Sequence, residues 1–274
     1  MINKIKTAAR LVRRYWTLYR MFVKNCLMAQ MEFRLNFVMN FSIEVAFAFV
    51  KLLYIIVIFG AGVNIGGMSP YEITLCIGLY TFLTGIMDAV NYHNVSALPE
   101  LVRTGDLDLY ITKPVSLQFM VSFRQFDLAS AIPNFIAGLA MILTAWSRLG
   151  LAADPGAICG FVFFSAVGLA VTYPLLMIPA LLSFWIVKSD QLFTVIWSMW
   201  DFNNMPMGIY NRVIKGIGTF IVPIFLISNF APLFVMHKLG VVYIVWSIVC
   251  AVLLNVLLRL FFRFAVRSYA SASS

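Results

Sequence analysis

The chain has 274 residues, of which 62% are apolar and only 11% charged, whereas an ordinary soluble domain is roughly 25% charged. That balance excludes a water-soluble fold, and because the apolar excess runs the whole length, no stretch is left to fold as a soluble domain. Twenty Lys and Arg against eleven Asp and Glu give a formal charge of +9, which in such a chain argues for membrane orientation and against nucleic acid as partner.

Eight basic residues, Lys4, Lys6, Arg10, Arg13, Arg14, Arg20, Lys24 and Arg34, precede the first apolar run, where an anionic cytoplasmic leaflet attracts them. From Arg10 to Lys24, the residues Leu11, Tyr15, Leu18 and Phe22 share one helical stripe, with Arg13, Arg20 and Lys24 opposite. This pattern predicts an amphipathic helix on a membrane surface, the competing reading being a solvated basic arm. Basic residues interrupt the start too often for a cleavable signal peptide, so the N-terminus is expected to be retained and cytoplasmic.

A first span is predicted over 37–62, carrying Glu44 and Lys51, and a turn-rich, base-free loop from Asn64 to Pro70 then faces outward. The second span covers 73–90, and a cytoplasmic loop over 91–124 holds Arg103, Lys113 and Arg124. A third span over 126–147 contains the twenty uncharged residues Leu128–Ser147, enough for a bilayer core. The uncharged run from Pro155 to Val187 reads as one long span, 156–187, with Pro155 in its first turn and kinks at Pro174 and Pro179. Residues 188–211 are too short to cross before Asp201 and predict a helix along the interface. Spans over 213–236 and 240–262 follow, and Arg259, Arg263 and Arg267 hold the C-terminus inside. The expectation is one all-α transmembrane domain over 1–274, multi-pass in the cell inner (plasma) membrane, with six helices and both termini cytoplasmic.

No G-x-x-x-x-G-K-[ST] sequence occurs, so the chain carries no phosphate-cradling loop and is expected not to be an enzyme itself. The histidines His93 and His237 are far apart, and Cys26, Cys76, Cys159 and Cys250 are scattered, so neither a metal site nor a disulfide framework is supported.

The loop Leu98-Pro-Glu-Leu-Val-Arg-Thr-Gly-Asp-Leu-Asp-Leu-Tyr-Ile-Thr-Lys-Pro114 is the most informative segment. Pro99 can open a short helix and Gly105 can close it; Glu100 and Arg103 share a face, and Asp106 and Asp108 alternate with apolar residues. It either merely connects two spans or presents charges and apolar knobs to the cytoplasm. The stretch resembles the loop of the six-helix, type-2 ATP-binding-cassette (ABC) export permeases, in which a Glu, a basic residue, Gly-x-Leu-Asp and a basic residue before Pro recur in that order. Met205-Pro-Met-Gly-Ile-Tyr-Asn-Arg212, leading into Thr219-Phe-Ile-Val-Pro223, and the tail Arg267–Ser274 are similar to the same family, although Met205 replaces its more usual aromatic.

The resemblance implies a type-2 ABC exporter permease fold whose N-terminal amphipathic helix is the family's elbow helix. It implies a second permease, identical or homologous, and two cytosolic ABC ATPase subunits that bind the ATP and Mg. The ATPase-coupling loop would comprise Leu98, Pro99, Glu100, Arg103, Gly105, Asp106, Asp108 and Lys113. Glu44 and Lys51 are seven residues apart and share a face. A charge mid-span costs about 2.5–3.5 kcal/mol on insertion scales, so they either hold the fold by pairing or snorkelling, or line a cavity that meets the transported molecule. An ion-coupled secondary transporter using Glu44, Lys51 and Asp88 is the rival, with Asp88 itself expected at the membrane interface.

Overall fold

The computed structural model describes residues 2–61, 64, 66–186 and 190–269, without the side chains of 2–9, 61, 190–193 and 196. The end of the C-terminal tail and the start of the predicted interfacial helix therefore lie outside the described residues. Among those described, five helices are long and apolar enough to cross a membrane: Arg34–Gly60, Pro70–Thr104, Leu128–Arg148, Pro155–Phe184 and Val241–Ser268.

Helix α1 (Ile2–Glu32) leads with only a turn at Phe33 into α2 (Arg34–Ala61). Tyr15, Leu18, Phe22 and Cys26 recur at helical spacing along the less exposed face of α1, while Arg10, Arg13 and Arg20 stay exposed. Helix α2 is apolar nearly all round, yet only 11% of its most apolar window is buried within the chain, so its burial must come from lipid or another protein.

Helix α3 (Pro70–Met87) starts at a reciprocal cap, in which Ser69 Oγ accepts from Glu72 N at 3.4 Å and Glu72 Oε2 accepts from Ser69 N at 2.9 Å. It widens into a π-turn, Asp88–Tyr92, and continues through α4 (His93–Ser96) and α5 (Leu98–Thr104). After α6 (Asp108–Ile111) and α7 (Leu117–Phe123), α8 (Leu128–Arg148) returns antiparallel to α3, and α9 (Pro155–Leu181) runs back beside them. Asp127 and Asp154 cap these two helices, and α9 keeps helical form through Pro174 and Pro179.

α4 to α7 gather at one end of the bundle, the loop end. Ser69, Gly150 and Lys238 lie at the opposite, far end, where Lys238 Nζ reaches Glu72 Oε1 at 2.6 Å.

Two predicted segments take a different form. The 188–211 stretch, expected along the interface, contains α10 (Asp190–Trp200), which climbs beside α9 into the bundle. It continues as single turns over Asp201–Asn204 and Met207–Ile209 until Gly208 meets Gly66 at the far end. The 213–236 segment, expected as a span, is a hairpin whose first arm, α11 (Arg212–Gly216) with a π-turn over Ile217–Ile221, is largely exposed, and whose second arm, α12 (Phe225–Ser228) and α13 (Phe230–Val235), is buried. It enters from the far end, brings Ile227 against Gly168 midway along α9, and returns with the Phe234 ring tilted against Phe164, centroids 5.0 Å apart. Helix α14 (Val241–Ser268) then crosses to the loop end.

The physical reason is local. Pro223 removes a donor and forbids the helical conformation of Val222, while Asn229 and Pro232 interrupt the helix on its far side. Irregular backbone at membrane depth survives only where protein groups satisfy it. Asn229 Oδ1 accepts from Met207 N at 2.7 Å, Ser228 Oγ donates to Asn203 Oδ1 at 2.9 Å, and Trp246 Nε1 donates to the Thr219 carbonyl at 2.8 Å.

Candidate functional site

Two places stand out, one at the loop end and one inside the bundle. At the loop end, Leu98 and Leu107 are buried against the bundle, anchoring the short helix α5 at both ends. Gly105 closes it in the left-handed region, φ +79°, where a side chain would be strained. The next turn folds under, with Leu107 N–H on the Leu101 carbonyl at 3.1 Å. Outward face Glu100 and Arg103, joined by two hydrogen bonds of 2.8 and 2.6 Å, together with Asp106. Leu109 and Ile111 project beside them at 63% and 43% exposure.

Of the eight predicted loop residues, Glu100, Arg103, Asp106 and Lys113 lie on this exposed surface, whereas Leu98 and Pro99 fix the helix from beneath and Asp108 is half-buried. Arg124 stacks over the Tyr110 ring at 4.8 Å and donates to its hydroxyl, and Lys113 approaches the same ring at 5.8 Å. Burial, reinforced by the carboxylates of Asp108 and Asp106, pushes the Tyr269 hydroxyl up. Helix α1 lies along the same end: Arg14 donates to the Pro114 carbonyl at 2.7 Å, Gln30 to the Phe126 carbonyl at 2.6 Å, and Tyr15 packs edge-on against Phe119 at 4.8 Å.

Inside the bundle, α2, α3 and α10 enclose a cavity of about 550 Å³. Glu44 and Lys51 both line it, but they do not pair with each other. Glu44 Oε2 accepts from Asn134 Nδ2 at 2.8 Å, and Lys51 Nζ sits 5.1 Å above the Tyr80 ring. Asp88 is 7% exposed and faces the same cavity, and the helix carrying it continues to Thr104 rather than ending near Val90. Sequence reasoning missed Tyr80 and Asp201 as partners: Tyr80 donates to Asp201 Oδ1 at 3.3 Å. Only the arrival of α10 inside the bundle brings them together. Trp197 also lines the cavity, 4.4 Å from Tyr92.

His93 Nε2 meets Asp127 Oδ2 at 3.0 Å, so the π-turn of the second crossing is latched to the start of α8. Buried Asn94 reinforces the latch by donating to the Gln125 carbonyl at 2.8 Å and accepting from Gln125 N at 2.7 Å. Burial alone would raise the Asp127 carboxyl, but hydrogen bonds from His93 and Ser130 outweigh it and hold the group below the usual carboxylate range. A lowered folded value means that the stability contributed by Asp127 is present above its unfolded value and is lost as pH falls through the folded one. Asp127→Asn, which keeps the helix cap, is therefore expected to cost about 0.5–1 kcal/mol at neutral pH. The melting midpoints of variant and parent should begin to converge as pH falls below about 4; a separation that does not shrink with falling pH contradicts the latch.

Among the described residues, no three His, Cys, Asp or Glu side chains converge to hold a metal, and all four cysteines are free. A search of curated proteins and a search of solved structures returned no match. A family model described as ABC-2 family transporter protein matches residues 45–273, which include α3 to α14, the α5–α6 surface and the cavity lining except Glu44. This helical, multi-pass membrane chain belongs to the ABC-2 family of transporters and is the permease type of subunit.

Proposed function

We propose that the chain is half of the membrane pathway of an ABC exporter, paired with a second permease, identical or homologous, and driven by two cytosolic ATPase subunits that hold the ATP and Mg. The observation that carries this reading is the α5–α6 surface. It is a short helix anchored by buried leucines, yet it presents an ion pair, Asp106, Leu109 and Ile111 to solvent. Such a ridge suits a groove on a partner, and its rigid continuation into the α3 crossing would transmit movement of that partner to the cavity as a rigid-body shift.

The loop end is then cytoplasmic in the inner (plasma) membrane, with both termini on that side, as the basic face of α1 supports. The weakly buried α2 offers its apolar surface to the second permease and to lipid. Purification of the chain with its native partners is expected to bring along a polypeptide with a phosphate-binding loop, in equal copy number to the permeases. Reproducible purification of an active transporter without any ATPase would reject the proposal.

Glu44, Lys51 and Asp88 share one cavity, which favours a second reading, an ion-coupled secondary transporter. Uptake driven by an ion gradient in the absence of ATP separates the two.

A further inference from the structure

We propose that the cavity between α2, α3 and α10 binds an organic cation with an aromatic or alkyl body, seated between Asp88 and the Tyr92–Trp197 pair. The proposal rests on the permease reading, in which this cavity belongs to the transport path.

The charge balance is the first observation. Among the described residues, Glu44, Asp88 and Asp201 line the cavity against a single permanent cation, Lys51. His93 is committed to Asp127 at 3.0 Å, Glu44 to Asn134 and Asp201 to Tyr80. Asp88 makes no side-chain hydrogen bond or ion pair with any described residue, although it is only 7% exposed. A buried carboxylate without a partner is costly, and in an apolar frame its natural complement is a positive charge.

Lys51 does not supply that complement by contact. Its ammonium rests over Tyr80, with no carboxylate within ion-pair distance among the described residues. A bare metal ion is poorly served, since no three suitable ligands converge among the described residues. Much of the remaining lining is aromatic: Tyr92 and Trp197 lie 4.4 Å apart, and Phe47 and Tyr54 line the same space. Ring faces attract diffuse cations most strongly where water is excluded. At about 550 Å³ the space is that of a drug-sized molecule. The π-turn over Asp88–Tyr92 adds a residue to the helical turn and sets both side chains toward the same space.

The test is equilibrium dialysis on the purified full chain in lipid nanodiscs, with tetraphenylphosphonium as cation and 8-anilinonaphthalene-1-sulfonate as anion. Tetraphenylphosphonium is expected to bind saturably, and Asp88→Asn to weaken it on the order of tenfold. Lys51→Met, which removes the competing charge, should tighten binding several-fold, so the two variants move in opposite directions even if one of them folds poorly. Binding unaffected by both variants, no saturable cation binding, or Lys51-dependent preference for the anion would each overturn the proposal. None of these results bears on ATPase association, so failure here leaves the permease reading standing, and failure of that reading is seen separately in the purified complex.

Discussion

Gly138→Leu is expected to abolish recovery of a folded chain from membranes, while Gly60→Ala leaves recovery unchanged or slightly improved. α3 and α8 form a close seam because glycines let their backbones touch. A Cβ at Gly138 would lie 2.5 Å from the Phe82 backbone N and 2.7 Å from its Cα. A Cβ at Gly78 would lie 2.7 Å from the Met141 Cβ. In a membrane, where apolar burial does not favour helix contact over lipid, such close approach supplies much of the packing. The obstacle at Gly138 is backbone rather than the tip of a side chain, so relief requires the helices to separate. Overpacking by one methyl costs about 1–3 kcal/mol, and leucine adds three further carbons against a total stability of about 5–15 kcal/mol. Gly60 has nothing within 4 Å, and alanine there gains helix propensity of about 1 kcal/mol. Size-exclusion profiles and thermal unfolding in detergent distinguish the two; a monodisperse Gly138→Leu chain with parental melting would contradict this packing.

The second large effect belongs to the loop end. Exchanging the charges, Glu100→Arg together with Arg103→Glu, keeps an ion pair on α5 but inverts the charges that a partner groove would meet. Both side chains are more than half exposed, so the internal effect on stability is small, about 0–1 kcal/mol. Substrate-stimulated ATP hydrolysis by the assembled complex is expected to fall on the order of tenfold or more, with insertion and fold intact. Gly105→Pro acts differently: at φ +79° the proline ring cannot be accommodated, and the turn that buries Leu107 is lost. Hydrolysis unchanged by the charge exchange, measured in proteoliposomes, would remove the coupling role of Glu100 and Arg103.

Much of this architecture is legible in the residues. The stripe from Tyr15 to Phe22, the uncharged length of Leu128–Ser147 and the Asp-Pro start of α9 are local signals with local causes. Pro99 and Gly105 likewise mark the ends of a helix from chemistry alone. The hairpin over Arg212–Val235 is not legible in the same way: its hydropathy is that of a crossing. The groups that make its breaks tolerable, Asn203, Met207 N–H and Trp246, come from other parts of the chain. Pro223, Asn229 and Pro232 are the available signals, and they point to a break without saying where the chain goes next.

The interior site divides along the same line. Glu44 and Lys51 stand out because a charge in an apolar run has few explanations. Their partners do not: Asn134 and Tyr80 are ordinary residues within apolar helices until tertiary packing brings them near. Hydropathy ends the second crossing near Val90 because it marks where apolar sequence stops, whereas the helix continues beyond that point as a π-turn and two further segments. Asp201 reads as the end of a short surface helix until α10 is seen to climb into the bundle.

The central claim is that this chain supplies a path but not the energy for transport. Reconstitution in liposomes, with solute movement followed first for the chain alone and then with its ATPase and ATP added, tests it most directly. No uphill movement is expected from the chain alone, with or without an ion gradient, and accumulation is expected only when ATPase and ATP are present. Uphill transport by the isolated chain without nucleotide would contradict it.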